Sequence, residues 1–342
     1  MYKTLVKLSL IIALLGLLSC QQTSPHKVLF VEGETQGTSY HISYTDTLQR
    51  NLKPQIDSIL ADFSKELSTY DSTSTISRFN RTKKGMRLRG YFATVLLESE
   101  RINQLTHGAF DPTVMPLVNF WGFGTKKAAE TIDTSQLAGI LKLVGMDKLE
   151  IHKLPPTGVV VTKKHAGVAL DFNAIAQGYT CDVLGNYLQK NGIKNFLIEV
   201  GGEMLAAGKK PGDTFWKVGI DKPEETASDD GRELQATVML QNQAIATSGN
   251  YRKFHLVNGK KVVHTLNPKT GMPQTSDLLS VSIIAPKCIT ADALATACMV
   301  MGFEKAKAFI ETQENTEALF IYENEGKLTT YMTKNFNGIL LP

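Results

Sequence analysis

Between Lys287 and Gly302 the chain runs Lys-Cys-Ile-Thr-Ala-Asp-Ala-Leu-Ala-Thr-Ala-Cys-Met-Val-Met-Gly, a helical pattern with almost no polar surface. Thr290 reads as the N-cap, the Ala-, Leu- and Met-rich run as the body, and Gly302 as the stop. A helix that is apolar on nearly every side has to be buried, so the rest of the fold must wrap it. Two polar side chains interrupt it, Asp292 and Thr296. They are four residues apart and so project from one face. Two readings fit. A carboxylate and a hydroxyl on one buried face are hard-oxygen ligands suited to Mg2+. Equally, Asp292 favours a helix N-terminus and Thr296 bonds back to a carbonyl of its own helix.

The N-terminus has a different character. Lys3 and Lys7 form a basic n-region, Leu5 to Leu18 is nearly all apolar, and the run ends in Leu17-Leu18-Ser19-Cys20. The run is short for a membrane span and suits the apolar region of a signal peptide. Cys20 after a small residue has the form of a lipobox, which predicts a lipoprotein signal over residues 1–19. The alternative is an ordinary signal peptide with an incidental cysteine. Residues 20–27 then form a lipidated tether to the membrane, and 28–342 the folded part.

Removing Lys3 and Lys7 takes the formal charge from +4 to +2. That near balance leaves no electrostatic footprint for nucleic acid. Cys181, Cys288 and Cys298 remain, without zinc-ligand spacing and odd in number, so they read as free core residues.

Patterning predicts a strand pair over Val28–Tyr44 and helices over Leu48–Leu67, Tyr91–Leu105, Leu137–Val144 and Ile175–Gln189. It predicts strands at Gly167–Leu170, Phe196–Val200, Gln235–Leu240, Leu279–Ile284 and Ala318–Tyr322. Ser68–Thr75 and Pro223–Gly231 read as polar loops. Helices and strands mix without βαβ alternation, which predicts an α+β fold. No Gly-x-Gly-x-x-Gly, Walker or Gly-x-Ser-x-Gly signature occurs, which argues against Rossmann, P-loop and α/β-hydrolase folds.

Several segments are unlike packed core. Gly108-Ala109-Phe110-Asp111-Pro112-Thr113 places a carboxylate on a turn. Leu170-Asp171-Phe172-Asn173 puts Asp171 at a strand-to-helix junction, with Asn173 placed to cap the helix. Gly201-Gly202 either admits a ligand to the backbone or simply turns the chain. Ala246-Thr247-Ser248-Gly249-Asn250 is a polar turn, and His264-Thr265-Leu266-Asn267-Pro268 a turn carrying a histidine.

In this order, with Gly37-Thr38-Ser39-Tyr40, Leu67-Ser68-Thr69-Tyr70, Ser77-Arg78-Phe79-Asn80, Pro116-Leu117 and Trp121-Gly122-Phe123-Gly124, these blocks resemble the bacterial FAD:protein FMN transferases of the ApbE type. The resemblance runs from about Glu32 to the C-terminus. It implies a duplicated, T-fold-like two-layer core in two intertwined subdomains, with FAD between the halves. It implies Mg2+-dependent transfer of FMN from FAD to a threonine of a client flavoprotein, such as a subunit of a membrane redox complex, with release of AMP. Carried over, Asp292 and Thr296 become metal ligands with the Ala174 carbonyl. Gln36, Tyr70, Ala109, Phe110, Asp111, Asp171, Gln177, Thr265 and Leu266 become FAD contacts, and His264 the group that activates the threonine, with Asp292 also at the chemistry. Gln36, Gln177 and Asn267 depart from the family's more usual Met, Lys and Asp. Two rivals share the site: a Mg2+-dependent FAD diphosphatase using water, and a lipoprotein that only carries FAD.

Overall fold

The computed structural model describes residues 27–124, 131–156, 158–223, 233–250, 254–257 and 260–341. The signal segment, Cys20, most of the tether and most of Pro223–Gly231 lie outside the described residues. Strands β1 (Val28–Thr35) and β2 (Thr38–Thr45) form the expected hairpin. Gln36 and Gly37 close it at φ of 52° and 73°. Positive φ at both turn residues matches the natural twist of the paired strands.

Helix α1 spans Lys53–Leu67, so it begins at Lys53 and not at Leu48. Pro54 sits in its first turn, where the missing N–H costs nothing. The residues before it are held otherwise: Arg50 pairs with Asp46 at 2.6 Å, and the Tyr44 hydroxyl donates to the Arg50 carbonyl. Helix α2 (Thr75–Arg81) begins at the last residue of the expected Ser68–Thr75 loop and runs where no element was expected. Ser74 caps it, its Oγ accepting from the Ser77 amide at 3.1 Å. Seven residues are too few to display a helical period, so only the cap marked it.

Next come β3 (Gly85–Arg89), α3 (Gly90–Leu105), α4 (Met115–Phe120) and α5 (Leu137–Leu141). Helix α5 is shorter than the Leu137–Val144 run. Strands β4 (Leu149–Leu154) and β5 (Gly158–Lys163) pair with β3 in the order β3-β5-β4. Gly167–Leu170 joins no sheet; its backbone is bonded by a side chain, described below. Helix α6 (Ala176–Lys190) follows as expected, but Asn173 is not its cap, because the helix starts after Ile175.

The remaining elements are β6 (Phe196–Val200), β7 (Glu203–Ala207), β8 (Trp216–Asp221), β9 (Leu234–Leu240), β10 (Ala244–Gly249), β11 (Phe254–Val257), β12 (Lys260–Val263) and β13 (Leu278–Ala285). Helices α7 (Cys288–Met301) and α8 (Phe303–Ile310) and strands β14 (Glu317–Asn324) and β15 (Lys327–Met332) complete the chain. Eight strands form one antiparallel sheet in the order β1-β2-β6-β7-β10-β13-β14-β15. The α+β class is therefore as expected.

Alternate residues of the sheet face two cores. On one side Tyr40, Ile42, Phe196, Ala246, Val281, Ile283 and Phe320 are buried with α6 and α7. On the other, Ile245, Ile284, Leu319 and Ile321 are buried under the β8–β9 ribbon with Trp216 and Val238. A smaller cluster gathers Leu117, Trp121, Leu137, Val262 and Leu266. Cys181, Cys288 and Cys298 are free and buried, as expected.

Helix α7 is buried as its composition requires, but Thr290 does not cap it. Its hydroxyl donates to Glu98 at 3.1 Å. The cap comes from α6: the Asp182 carboxylate accepts from the amides of Cys288 and Ile289, both at 2.9 Å. Burial nevertheless pushes the Asp182 carboxyl up to about 6, with the two amides opposing. A raised carboxyl favours the folded state fully below the ordinary carboxylate range and loses that contribution as pH rises through about 6. Relative to Asp182→Asn, which does not titrate there, the wild type should therefore lose up to about 3 kcal/mol between pH 4 and pH 7. Urea unfolding of both proteins across that range measures the difference.

Candidate flavin and metal site

The two helices on the sheet are in very close contact at Gly178. A Cβ there would lie 2.4 Å from the Cys288 carbonyl oxygen and 2.7 Å from the Asp292 Cβ, so only glycine fits. The approach lets the Gly178 amide donate to Asp292 Oδ2 at 2.9 Å. Gly178 is the third residue of α6, so its amide is one of the first-turn amides that have no acceptor within the helix, and Asp292 supplies one. Ala174 lies in the half-buried turn just before the cap Ile175, and among the described residues no backbone amide outside the regular elements donates to its carbonyl.

Asp292 is only 6% exposed, and burial pushes its carboxyl up to about 7. It lies beyond the first turn of α7, which removes the helix-terminus explanation for it. Thr296 Oγ1 faces Ser248 Oγ across 3.4 Å instead of turning back onto its own helix. Carboxylate, hydroxyl and carbonyl thus supply an all-oxygen donor set. Among the described residues no three His, Cys, Asp or Glu side chains cluster as a metal centre. A nitrogen- or sulfur-seeking ion is poorly served here. Mg2+, which takes few protein oxygens and fills its shell with water and phosphate, fits the set.

Two buried carboxylates shape the adjoining loops. Asp111 Oδ1 accepts from the Thr113 amide at 2.8 Å and the Thr113 hydroxyl at 2.5 Å, and Asn103 Nδ2 donates to Oδ2 at 3.3 Å. Asp171 Oδ1 accepts from the Asn173 amide at 2.7 Å. Its own amide donates to the Pro112 carbonyl at 2.8 Å, lacing the two loops together. Burial raises both carboxyls, and these local donors oppose the shift. Each carboxylate first of all builds its own turn.

The other expected contacts sort in the same way. Gln36 Nε2 donates to the Thr180 hydroxyl at 2.7 Å, so this side chain ties the β1–β2 turn to α6. Gln177, in the first turn of α6, lies against Gly201, where a Cβ would sit 2.4 Å from its Nε2. Phe110 and Leu266 are core side chains, which leaves their backbone to meet a ligand, and Ala109 is buried beside them. Tyr70 is 68% exposed on a loop turned by Ser68, whose Oγ accepts from the amides of Tyr70 and Asp71 at 3.3 Å. An aromatic ring offered to solvent in this way is available for stacking.

His264 is half-buried just after β12, with its ring edge-on to Phe123 at 6.4 Å between centroids. The next residue links it to the helix site. Thr265 Oγ1 donates to Asn250 Oδ1 at 2.6 Å, and Ser248, two residues before Asn250, faces Thr296. Two extended residues span roughly 7 Å, so this histidine segment and the Thr296 face share one neighbourhood. Ser248 and Asn250 were part of a presumed polar turn. In fact Ser248 is in strand β10, and the short apolar run Ala244-Ile245-Ala246 before it was the signal that a strand was there.

The family model described as the ApbE family matches residues 36–320. The FAD:protein FMN transferase of Haemophilus influenzae is 36% identical over 326 residues, covering 92% of this chain and 92% of that protein. That of Vibrio cholerae is 33% identical over 335 residues, covering 96% and 97%. The solved flavin transferase ApbE from Vibrio cholerae superposes with a TM-score of 0.81 at 32% identity, covering 92% of this chain and all of that one. The apo flavinyl transferase ApbE of Pseudomonas stutzeri gives 0.79 at 29% identity, covering 93% and 98%.

The donor set makes a direct prediction. Asp292→Asn keeps an oxygen for the Gly178 amide and removes the charge. Mg2+ affinity in the presence of FAD should fall by about a hundredfold or more. Thermal unfolding should show the rise of the melting temperature with Mg2+ in the wild type and little of it in the variant. A variant with wild-type Mg2+ response makes the Asp292–Thr296 pair structural.

Proposed function

The chain belongs to the ApbE family, and from that membership we propose that it transfers FMN from FAD to a client protein, with Mg2+ held by Asp292, Thr296 and the Ala174 carbonyl. The observation that carries the metal assignment is the buried Asp292 carboxylate, bonded to the Gly178 amide in the first turn of α6 and one helical turn from Thr296, with the Ala174 carbonyl just before that turn. Bound there, Mg2+ supplies charge neutralisation on the pyrophosphate of FAD. The half-buried first turn of α6 and the laced 109–113 and 171–174 loops hold the substrate, and exposed Tyr70 stacks on the flavin.

The acceptor is a threonine hydroxyl, a poor nucleophile until its proton is removed. His264 takes that proton. The threonine oxygen bonds to the FMN-side phosphorus, the bond from that phosphorus to the bridging oxygen breaks, and AMP departs with that oxygen. FMN stays on the client as a phosphodiester. Incubation with FAD, Mg2+ and a bacterial membrane extract should put flavin fluorescence on a protein band in a denaturing gel. Free FMN plus AMP instead selects the diphosphatase reading, and unchanged FAD selects a carrier. With a labelled band established, His264→Ala should lower its rate of formation about 10²–10⁴-fold, with a much smaller change in FAD affinity. The acidic limb of the rate–pH profile should disappear with it. Weakened FAD binding at an unchanged rate makes His264 a binding residue.

The enzyme works, on this proposal, as a lipoprotein on the extracytoplasmic side of a bacterial membrane, anchored through Cys20. Among the described residues no helix is long and apolar enough to cross a membrane. Acyl chains on Cys20 would supply the attachment at roughly 0.8 kcal/mol per buried methylene. Cys20→Ala should leave the protein unlipidated and unprocessed, while a chain starting after Cys20 stays active in solution. Mass spectrometry of the mature N-terminus checks this. An unmodified terminus at another residue overturns it.

A further inference from the structure

We propose that Asn80 is a positioning residue for the flavin site, fixing the 170–174 turn and through it Asp171 and the Ala174 carbonyl. Its Nδ2 donates to the Leu170 carbonyl and its Oδ1 accepts from the Leu170 amide, both at 2.8 Å. One side-chain amide thereby does for Leu170 what a neighbouring strand would do. Leu170 is thereby held although Gly167–Leu170 joins no sheet. The pairing requires a donor and an acceptor on one rigid group. Aspartate supplies no donor, glutamine is a methylene too long, and an aliphatic residue leaves both Leu170 groups unpaired beside a fully buried side chain.

Asn80 is itself held. The Lys163 ammonium donates to the carbonyls of Phe79, Asn80 and Thr82 at 2.8, 3.2 and 3.1 Å. It thus caps the C-terminal end of α2 with a positive charge, the sign that end favours. At the opposite end of α2, Ser74 Oγ donates to the Ser68 carbonyl at 2.7 Å, which fastens the loop that presents Tyr70. One short helix therefore sets the spacing between Tyr70 and Asp171. From Leu170 onward the register is tight: the Asp171 amide reaches Pro112, its carboxylate turns the chain at Asn173, and Ala174 follows. A shift at Leu170 is passed to each of these groups.

The inference rests on the reading of the 171–174 turn as part of the flavin and metal site. Its test is a double-mutant cycle on the full chain, with FAD affinity measured by flavin fluorescence and stability by thermal unfolding. Asn80→Ala should weaken FAD binding roughly tenfold, as expected for losing one or two hydrogen bonds' worth of positioning. Asn80→Asp keeps the bond from the Leu170 amide and should fall between wild type and Asn80→Ala. It also decides the matter should Asn80→Ala fail to fold. Asp171→Ala should weaken binding too, and the double variant should bind about as poorly as Asp171→Ala alone, because both act through one turn. Losses that multiply, or wild-type affinity in the folded Asn80 variants, overturn the inference while leaving the site standing. Wild-type affinity in Asp171→Ala overturns the reading of the turn and this inference with it.

Discussion

The hydrogen bond from the Gly178 amide to Asp292 is the interaction on which the site depends. It gives an acceptor to a first-turn amide of α6 that has none within its own helix, and so docks that turn, with the Ala174 carbonyl just before it, against Asp292. No side chain larger than glycine allows it, since the carbonyl of Cys288 occupies the space. It also needs α7 in a fixed axial position, which the Asp182 cap supplies from the same partner helix. The two helices therefore hold each other twice, once at the start of α7 and once at Asp292. The antiparallel sheet beneath gives both a common floor.

Around that contact the loops are organised by side chains more than by secondary structure. Asp111 and Asp171 each spend a buried carboxylate on local amides, and the Pro112 carbonyl joins the two turns. Burying a carboxylate is costly unless it is well hydrogen-bonded. Here that cost is met by donors within two residues and rewarded with a rigid backbone. Such a backbone can approach a ligand closely and pays little ordering entropy when the ligand binds. Gln36 and Asn103 make comparable ties from the β1–β2 turn and from α3.

How much of this was legible in the sequence follows from the range of the forces involved. The α6 and α7 helices, the β1–β2 hairpin and the main strands were legible because periodicity and glycine stops are local signals. The pairing of Asp292 with Thr296 was legible for the same reason. The cap of α7 was misplaced at Thr290 because the group that caps it, Asp182, is more than a hundred residues away in sequence. Helix α2 was missed because one cap and seven residues carry no period. Gly167–Leu170 has a strand's composition, but Gly167 lies in a turn and Leu170 is partnered by the Asn80 amide and not by another strand. Ser248 was hidden because a strand ending in Thr-Ser-Gly-Asn has the composition of a turn. The family resemblance named the right segments; it did not show that Phe110 and Leu266 enter the core while Tyr70 stays in water.

Strand β1 has a direction as well as a place. Its first residue pairs with Thr45, at the sheet end where the Asn195 carbonyl accepts from the Thr45 amide; its last leads into Gln36, which is bonded to Thr180 of α6. Eight residues of strand span roughly 25 Å. Strand β1 thus separates, by its full length, the point where the chain enters the fold from the turn that is tied to α6.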